Sequence, residues 1–240
     1  MRTATVLTVV VCLAACGKTN REAINELKPA YLPLRSKLTK LAASLPPAGS
    51  VKRTAPTALE PPISFSERPQ AGNLNALMFD QLVDPDIDMD EQHRFDLGFS
   101  GDLLTCLSWT GPKPKMTAAS LEERNGESIL KTCQAPLARP YLLVSRVVAQ
   151  ADPGVGMEAG TFKGGAVVVE HFVVEVATSK VKTAFQTQGR TPHRITYRVK
   201  EGGFADGPKL EEALRALRSD TRGNVAKAFT ASGARFDRLM

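Results

Sequence analysis

From Asn20 to Leu45, apolar residues recur at Ile24, Leu27, Tyr31, Leu34, Leu38, Leu41 and Leu45. Steps of three and four draw one stripe along a helix. Asn20 can cap its start, and Pro46-Pro47 ends it. Pro29 and Pro33 lie inside the run. Each removes an amide donor and presses on the preceding turn. The pattern therefore predicts a kinked helix, or a short helix followed by a better one from Pro33 to Ser44. Lys18, Arg21, Lys28, Arg35, Lys37 and Lys40 occupy the other face. A stripe kept over this length favours a helix docked on a domain, its basic face solvated, over a free stalk near anionic lipid.

Residues 46–72 hold Pro46, Pro47, Pro56, Pro61, Pro62 and Pro69, and read as a linker or extended crossing. Asn73 to Val83 shows helical spacing at Leu74, Leu77, Met78 and Leu82. One helix should open at Ser100-Gly101-Asp102 and run to Trp109. A second should open near Thr117, carry Leu121, Ile129, Leu130 and Cys133, and stop before Pro136. Tyr141–Val148 reads as a strand. Ala166–Val176 is apolar on both faces and should lie centrally in a sheet. After a turn at 177–180, Val181, Thr183, Phe185 and Thr187 alternate with polar positions that include Lys182, Gln186 and Gln188. That is a half-buried strand with a solvent face, a candidate contact surface. A short strand at 194–200 and a final helix after Gly207-Pro208 complete the pattern. The helix stripe is Leu210, Leu214, Leu217, Thr221, Val225, Ala228 and Phe229. The order predicts an α+β fold: a small antiparallel sheet of three to four strands packed with helices, preceded by an N-terminal amphipathic helix.

Ahead of all this stands a short apolar run. Arg2 precedes Thr3–Val11, and small residues lead to Cys16-Gly17. The run is too short to cross a bilayer as a permanent helix and has signal-peptide anatomy. Leu13-Ala14-Ala15-Cys16 resembles the lipobox of bacterial lipoproteins. The remainder loosely resembles envelope lipoproteins with a helical stalk, a Pro-rich crossing and a small mixed domain, which implies no activity. The lipobox resemblance implies removal of residues 1–15, a thioether-linked diacylglycerol on Cys16, and a further acyl chain such as palmitate on the new amine. Several chains on one residue hold far more firmly than one. Gly17, in place of Asp, at the second mature position implies the outer membrane where the host has two. The chain then divides into a signal peptide at 1–15, anchor and N-terminal helix at 16–45, Pro-rich linker or crossing at 46–72, and an α+β globular domain at 73–240.

With Cys12 removed and Cys16 acylated, Cys106 and Cys133 are left as an even pair in an oxidising compartment. They should form a disulfide; two buried free thiols are the alternative. The chain carries 31 Lys and Arg against 25 Asp and Glu, a net charge of +6. A mildly basic surface suits anionic lipid or cell wall, and export argues against nucleic acid as a partner.

Candidate chemistry is sparse. The three histidines, His93, His171 and His193, form no H-E-x-x-H and no close pair. His171 alternates with valines and reads as a core or sheet-surface residue. Glu170 and Glu175 share its strand but point to opposite faces. No G-x-S-x-G and no G-x-x-x-x-G-K-[ST] occurs. Gly154–Gly160 resembles a dinucleotide loop only superficially: it is one residue too long and leads into a strand, as a hairpin connection would. Asp84 to Glu91 carries alternating aspartates, but as an EF-hand from Asp84 it would hold Met89 and Phe95 where Gly and Glu are required. A solvated acidic loop is the plainer reading.

The expectation is a membrane-anchored envelope lipoprotein with a non-catalytic binding or scaffolding role. Its partners would be the membrane, through the anchor, and a protein or cell-wall component, with no cofactor. One alternative is a small-ligand or Ca²⁺-binding lipoprotein acting through loop 84–91. Another is an enzyme whose dispersed residues, His93 or His171 with carboxylates, meet only in the fold.

Overall fold

The structure is a computed structural model that describes residues 17–52, 56–59, 62–66, 72–86, 101–112, 114–155, 162–191, 207–232 and 235–237. The lipobox and its Cys16, His93, His193, and the strand expected at 194–200 lie outside the described residues.

Helix α1 (Asn20–Ser44) is one continuous element running through both prolines, not two helices. Pro29 and Pro33 are one turn apart on the exposed side, so the carbonyls they leave unpaired face water. Thr19, not Asn20, caps the helix. Its side chain accepts from the Glu22 amide, and Glu22 returns a bond to the Thr19 amide at 2.8 Å. Asn20 is instead buried, with Nδ2 donating to the Ser120 carbonyl. The apolar stripe Ile24, Leu27, Tyr31, Leu38 and Leu41 is buried, so α1 is docked along its length.

The helix expected across 73–83 is a strand followed by one helical turn. β1 (Ser64–Ser66) precedes β2 (Leu74–Met78), and α2 (Phe79–Val83) follows. All five β2 residues are buried, so the run shows no alternation that would mark it as a strand. α3 (Asp102–Thr110) lies where expected. The helix expected from Thr117 is broken into α4 (Ala118–Glu122) and α5 (Gly126–Ala138). The start of α1 docks in the break. The Asn20 amide donates to the Glu123 carbonyl, and the Gly126 amide to the Lys18 carbonyl, both at 2.9 Å.

β3 (Tyr141–Ala151), β6 (Ala166–Glu175) and β7 (Lys180–Arg190) form an antiparallel meander. β2 adds to its β3 edge in parallel, which makes a four-stranded mixed sheet in the order β2-β3-β6-β7. A parallel neighbour requires a crossover, and α2 to α5 supply it. Between β3 and β6 a short ladder joins β4 (Gly154–Val155) to β5 (Phe162–Lys163), as the hairpin reading of the glycine-rich loop expected; residues 156–160 lie outside the described residues. α6 (Gly207–Ala231) follows, and β8 (Arg235–Asp237) pairs in parallel with β1.

The sheet is covered on both faces. Leu142, Val144, Phe172 and Val174 pack under α1, α3 and α5. Leu143, Val169, Val173 and Phe185 pack under α6 through Leu217, Val225 and Phe229. The buried α6 positions Ala213, Leu217, Thr221, Val225 and Phe229 are spaced every fourth residue. Gly189 lets α6 approach this closely. A Cβ there would lie 1.9 Å from the Thr221 hydroxyl oxygen.

Candidate functional site

The N-terminal end of the described chain is tied down at once. Besides the two backbone bonds at Lys18 and Asn20, Lys18 pairs with Glu26, and Arg21 pairs with Glu122 at 2.7 Å. Gly126 sits under this segment: a Cβ on it would meet the Thr19 and Lys18 carbonyl oxygens at 2.5 and 2.6 Å. Among the described residues, no helix is long and apolar enough to cross a membrane.

Cys106 of α3 and Cys133 of α5 are bonded, and both are fully buried. The Tyr31 hydroxyl donates to the Cys133 carbonyl at 2.6 Å and so attaches α1 to the stapled pair. Burial raises the pKa of that hydroxyl, which keeps it a donor.

His171 is fully buried in β6. Ser145 Oγ lies 2.9 Å from its Nδ1, and Thr187 Oγ1 lies 2.8 Å from its Nε2. The ring stacks on Phe185, which meets Phe229 edge-on. Burial alone pushes its pKa down to about 3. A serine beside a histidine has the outline of a nucleophile and base. Here both nitrogens are occupied by hydroxyls and the pair lies inside the sheet core. The imidazole is a neutral structural bridge between β3 and β7.

A second polar cluster was not legible as a site in the sequence. Glu170, fully buried on the opposite face of β6, pairs with Arg146 of β3 at 2.6 Å. The Arg146 guanidinium lies 5.3 Å from the Phe79 ring centre and 5.1 Å from that of Phe172. The pair also holds the chain that leaves α1: Arg146 donates to the Pro47 carbonyl, and Glu170 accepts from the Val51 amide. Glu170, set among valines in a strand apolar on both faces, was the available signal.

Past this clamp, among the described residues, the sheet face extends beyond the α1 layer. Ala149, Ala151 and Arg190 are exposed there, and Ala166, Val168, Gln186 and Gln188 are half-buried. Ala184, Gln186 and Gln188 share the polar face of β7 that the alternation indicated. A register shift falls beside Lys182, which is exposed. Around the corner a cleft of about 920 Å³ lies between the end of β7 and α6, lined by Gly164, Arg190, Thr191, Ser219, Asp220 and Lys227. Asp220 accepts from the Arg190 amide and from Asn224.

Of the acidic loop 84–91, Asp84 and Asp86 are described and residues 87–91 lie outside. Asp84 accepts from the Asp86 amide, and Asp86 pairs with Arg35 at 2.5 Å. Arg35 also donates to the Leu107 carbonyl, so Asp86 helps join α1 to α3. Among the described residues, no group of three or more His, Cys, Asp or Glu could hold a metal ion.

Compared with protein-family models, curated proteins and solved structures, the chain matches none of them.

Proposed function

We propose that this chain is an envelope lipoprotein, held to a membrane by acyl chains on Cys16, that works by holding a partner and not by turning over a substrate. The observation that carries the anchor is the lipobox cysteine standing two residues ahead of Lys18, where the hydrogen-bonded fold begins. The bonded Cys106–Cys133 pair agrees with an oxidising compartment. The non-catalytic half rests on how reactive side chains among the described residues are engaged. His171 is neutral and enclosed, Glu170 neutralises Arg146, and Asp86 neutralises Arg35. The partner is a protein or a cell-wall component. Its candidate contact is the open sheet end around Gln186 and Gln188, with Lys182 and Arg190 at its margin. Gly17 favours the outer membrane in a host that has two.

Labelled palmitate should enter the wild type and not Cys16→Ala; equal labelling of both removes the anchor. Replacing His93, His171 and His193 together by Gln should leave the cellular phenotype intact in protein that still folds and reaches the membrane. Loss of phenotype in such protein would favour the enzyme.

A further inference from the structure

We infer that the anchored domain has no tether and sits directly on the bilayer, with the α1 start and the α4–α5 junction against the lipid headgroups and the open sheet end pointing away. The inference rests on acylation at Cys16. A lipid-anchored domain is free to tumble only if unstructured chain separates lipid from fold. Here Gly17 is the one residue between Cys16 and Lys18, and Lys18 is already hydrogen-bonded to Gly126. Two Cα steps span at most about 7 Å. A flexible linker of twenty residues would reach about 25 Å on average. The headgroup layer is therefore the surface that Gly17–Arg21 and Glu122–Ser128 must meet.

The charges there do not draw the domain toward one lipid type. Lys18 is paired with Glu26 and Arg21 with Glu122, and on this surface Lys18, Arg21 and Arg124 are matched in number by Glu122, Glu123 and Glu127. Covalent geometry sets the contact, so it should hold on zwitterionic lipid and change little with salt.

The rest of the fold then has a fixed direction. α1 and α5 start at the same end, since Lys18 meets Gly126 and Tyr31 meets Cys133. The 25 residues of α1 carry the chain about 37 Å. Along the way Lys37 donates to the Ala177 carbonyl, and just past its end Pro47 accepts from Arg146. β3 continues from Arg146 in the same sense to Ala151. The open sheet face is thus the membrane-distal end of the domain.

The test uses the full chain expressed with its own leader, extracted from membranes, and reconstituted in phosphatidylcholine vesicles carrying a headgroup nitroxide lipid. A fluorophore is placed on Ser128→Cys, in the first turn of α5, or on Ala151→Cys, at the far end of β3. Quenching should be several-fold stronger at position 128. A twenty-residue Gly/Ser insertion between Gly17 and Lys18 should abolish most of the difference. The mass of the N-terminal peptide is read first. Absence of lipid overturns the anchor and this inference together. Lipid present with equal quenching at both positions, or a difference that the insertion leaves unchanged, overturns this inference and leaves the anchor standing.

Discussion

The Gly126 amide donates to the Lys18 carbonyl at 2.9 Å, and the space where a Gly126 side chain would stand is filled by the Thr19 and Lys18 carbonyl oxygens. The first folded residues and the first turn of α5 thus form one rigid corner. On the proposed acylation of Cys16, its tightness decides how closely the domain follows the lipid.

Gly126→Ala should loosen this corner. The added methyl meets the backbone of Lys18 and Thr19, which cannot swing away, so a loss of about 1–3 kcal/mol is expected. Gly223→Ala is the contrasting change. Nothing lies within 4 Å of its Cβ position in α6, and a helix-interior Gly→Ala should add up to about 1 kcal/mol. Urea unfolding of the two variants should move in opposite directions; shifts of the same sign would show that local space does not govern these sites.

His171 sets a pH dependence. Its folded pKa is lowered from 6.5 to about 3, so the unfolded chain binds the proton more readily between those values. Stability from this residue is full above pH 6.5 and falls as pH drops toward 3, by about 1.4 kcal/mol per pH unit while the proton uptake differs fully. His171→Gln should lower stability at neutral pH and flatten that acid limb. An unchanged slope in the variant would mean that other groups carry the acid dependence.

Arg146 and Glu170 should be costly to separate and cheap to replace together. Removing either partner leaves a desolvated charge inside and should cost about 3–5 kcal/mol. The double change Arg146→Met with Glu170→Leu should recover most of it by double-mutant cycle. Equal losses in the single and double variants would show that the ties to Pro47 and Val51, not the ion pair, hold this corner.

The Cys106–Cys133 bond closes a loop with a sequence separation of 27, worth about 3–4 kcal/mol in the chain-entropy view. Replacing both by Ser should lower the unfolding midpoint accordingly. Peptide mapping without reductant should recover the two cysteines in one linked species; free thiols in envelope-derived protein would contradict the bond.

Where periodicity was strong, the sequence disclosed the fold. The α1 stripe, the both-sides-apolar β6 and the alternating β7 are local patterns that burial follows directly. β2 escaped because Leu74, Leu77, Met78 and Leu82 fall at helical spacing, while its five buried residues show no alternation. The α1 start that docks at the Glu123–Asn125 break lies about a hundred residues earlier, outside any local pattern. The parallel pairing of β2 with β3 is likewise a long-range relation. The surface around Gln186 was legible as an alternation, whereas the Arg146–Glu170 clamp was not, since it depends on cross-strand register.

Mass spectrometry of the N-terminal tryptic peptide from membrane-extracted protein tests the anchored reading most directly. Cys16-Gly17-Lys18 should appear carrying diacylglycerol and a further acyl chain. The same peptide found unmodified, or a mature chain beginning at any other residue, would contradict it.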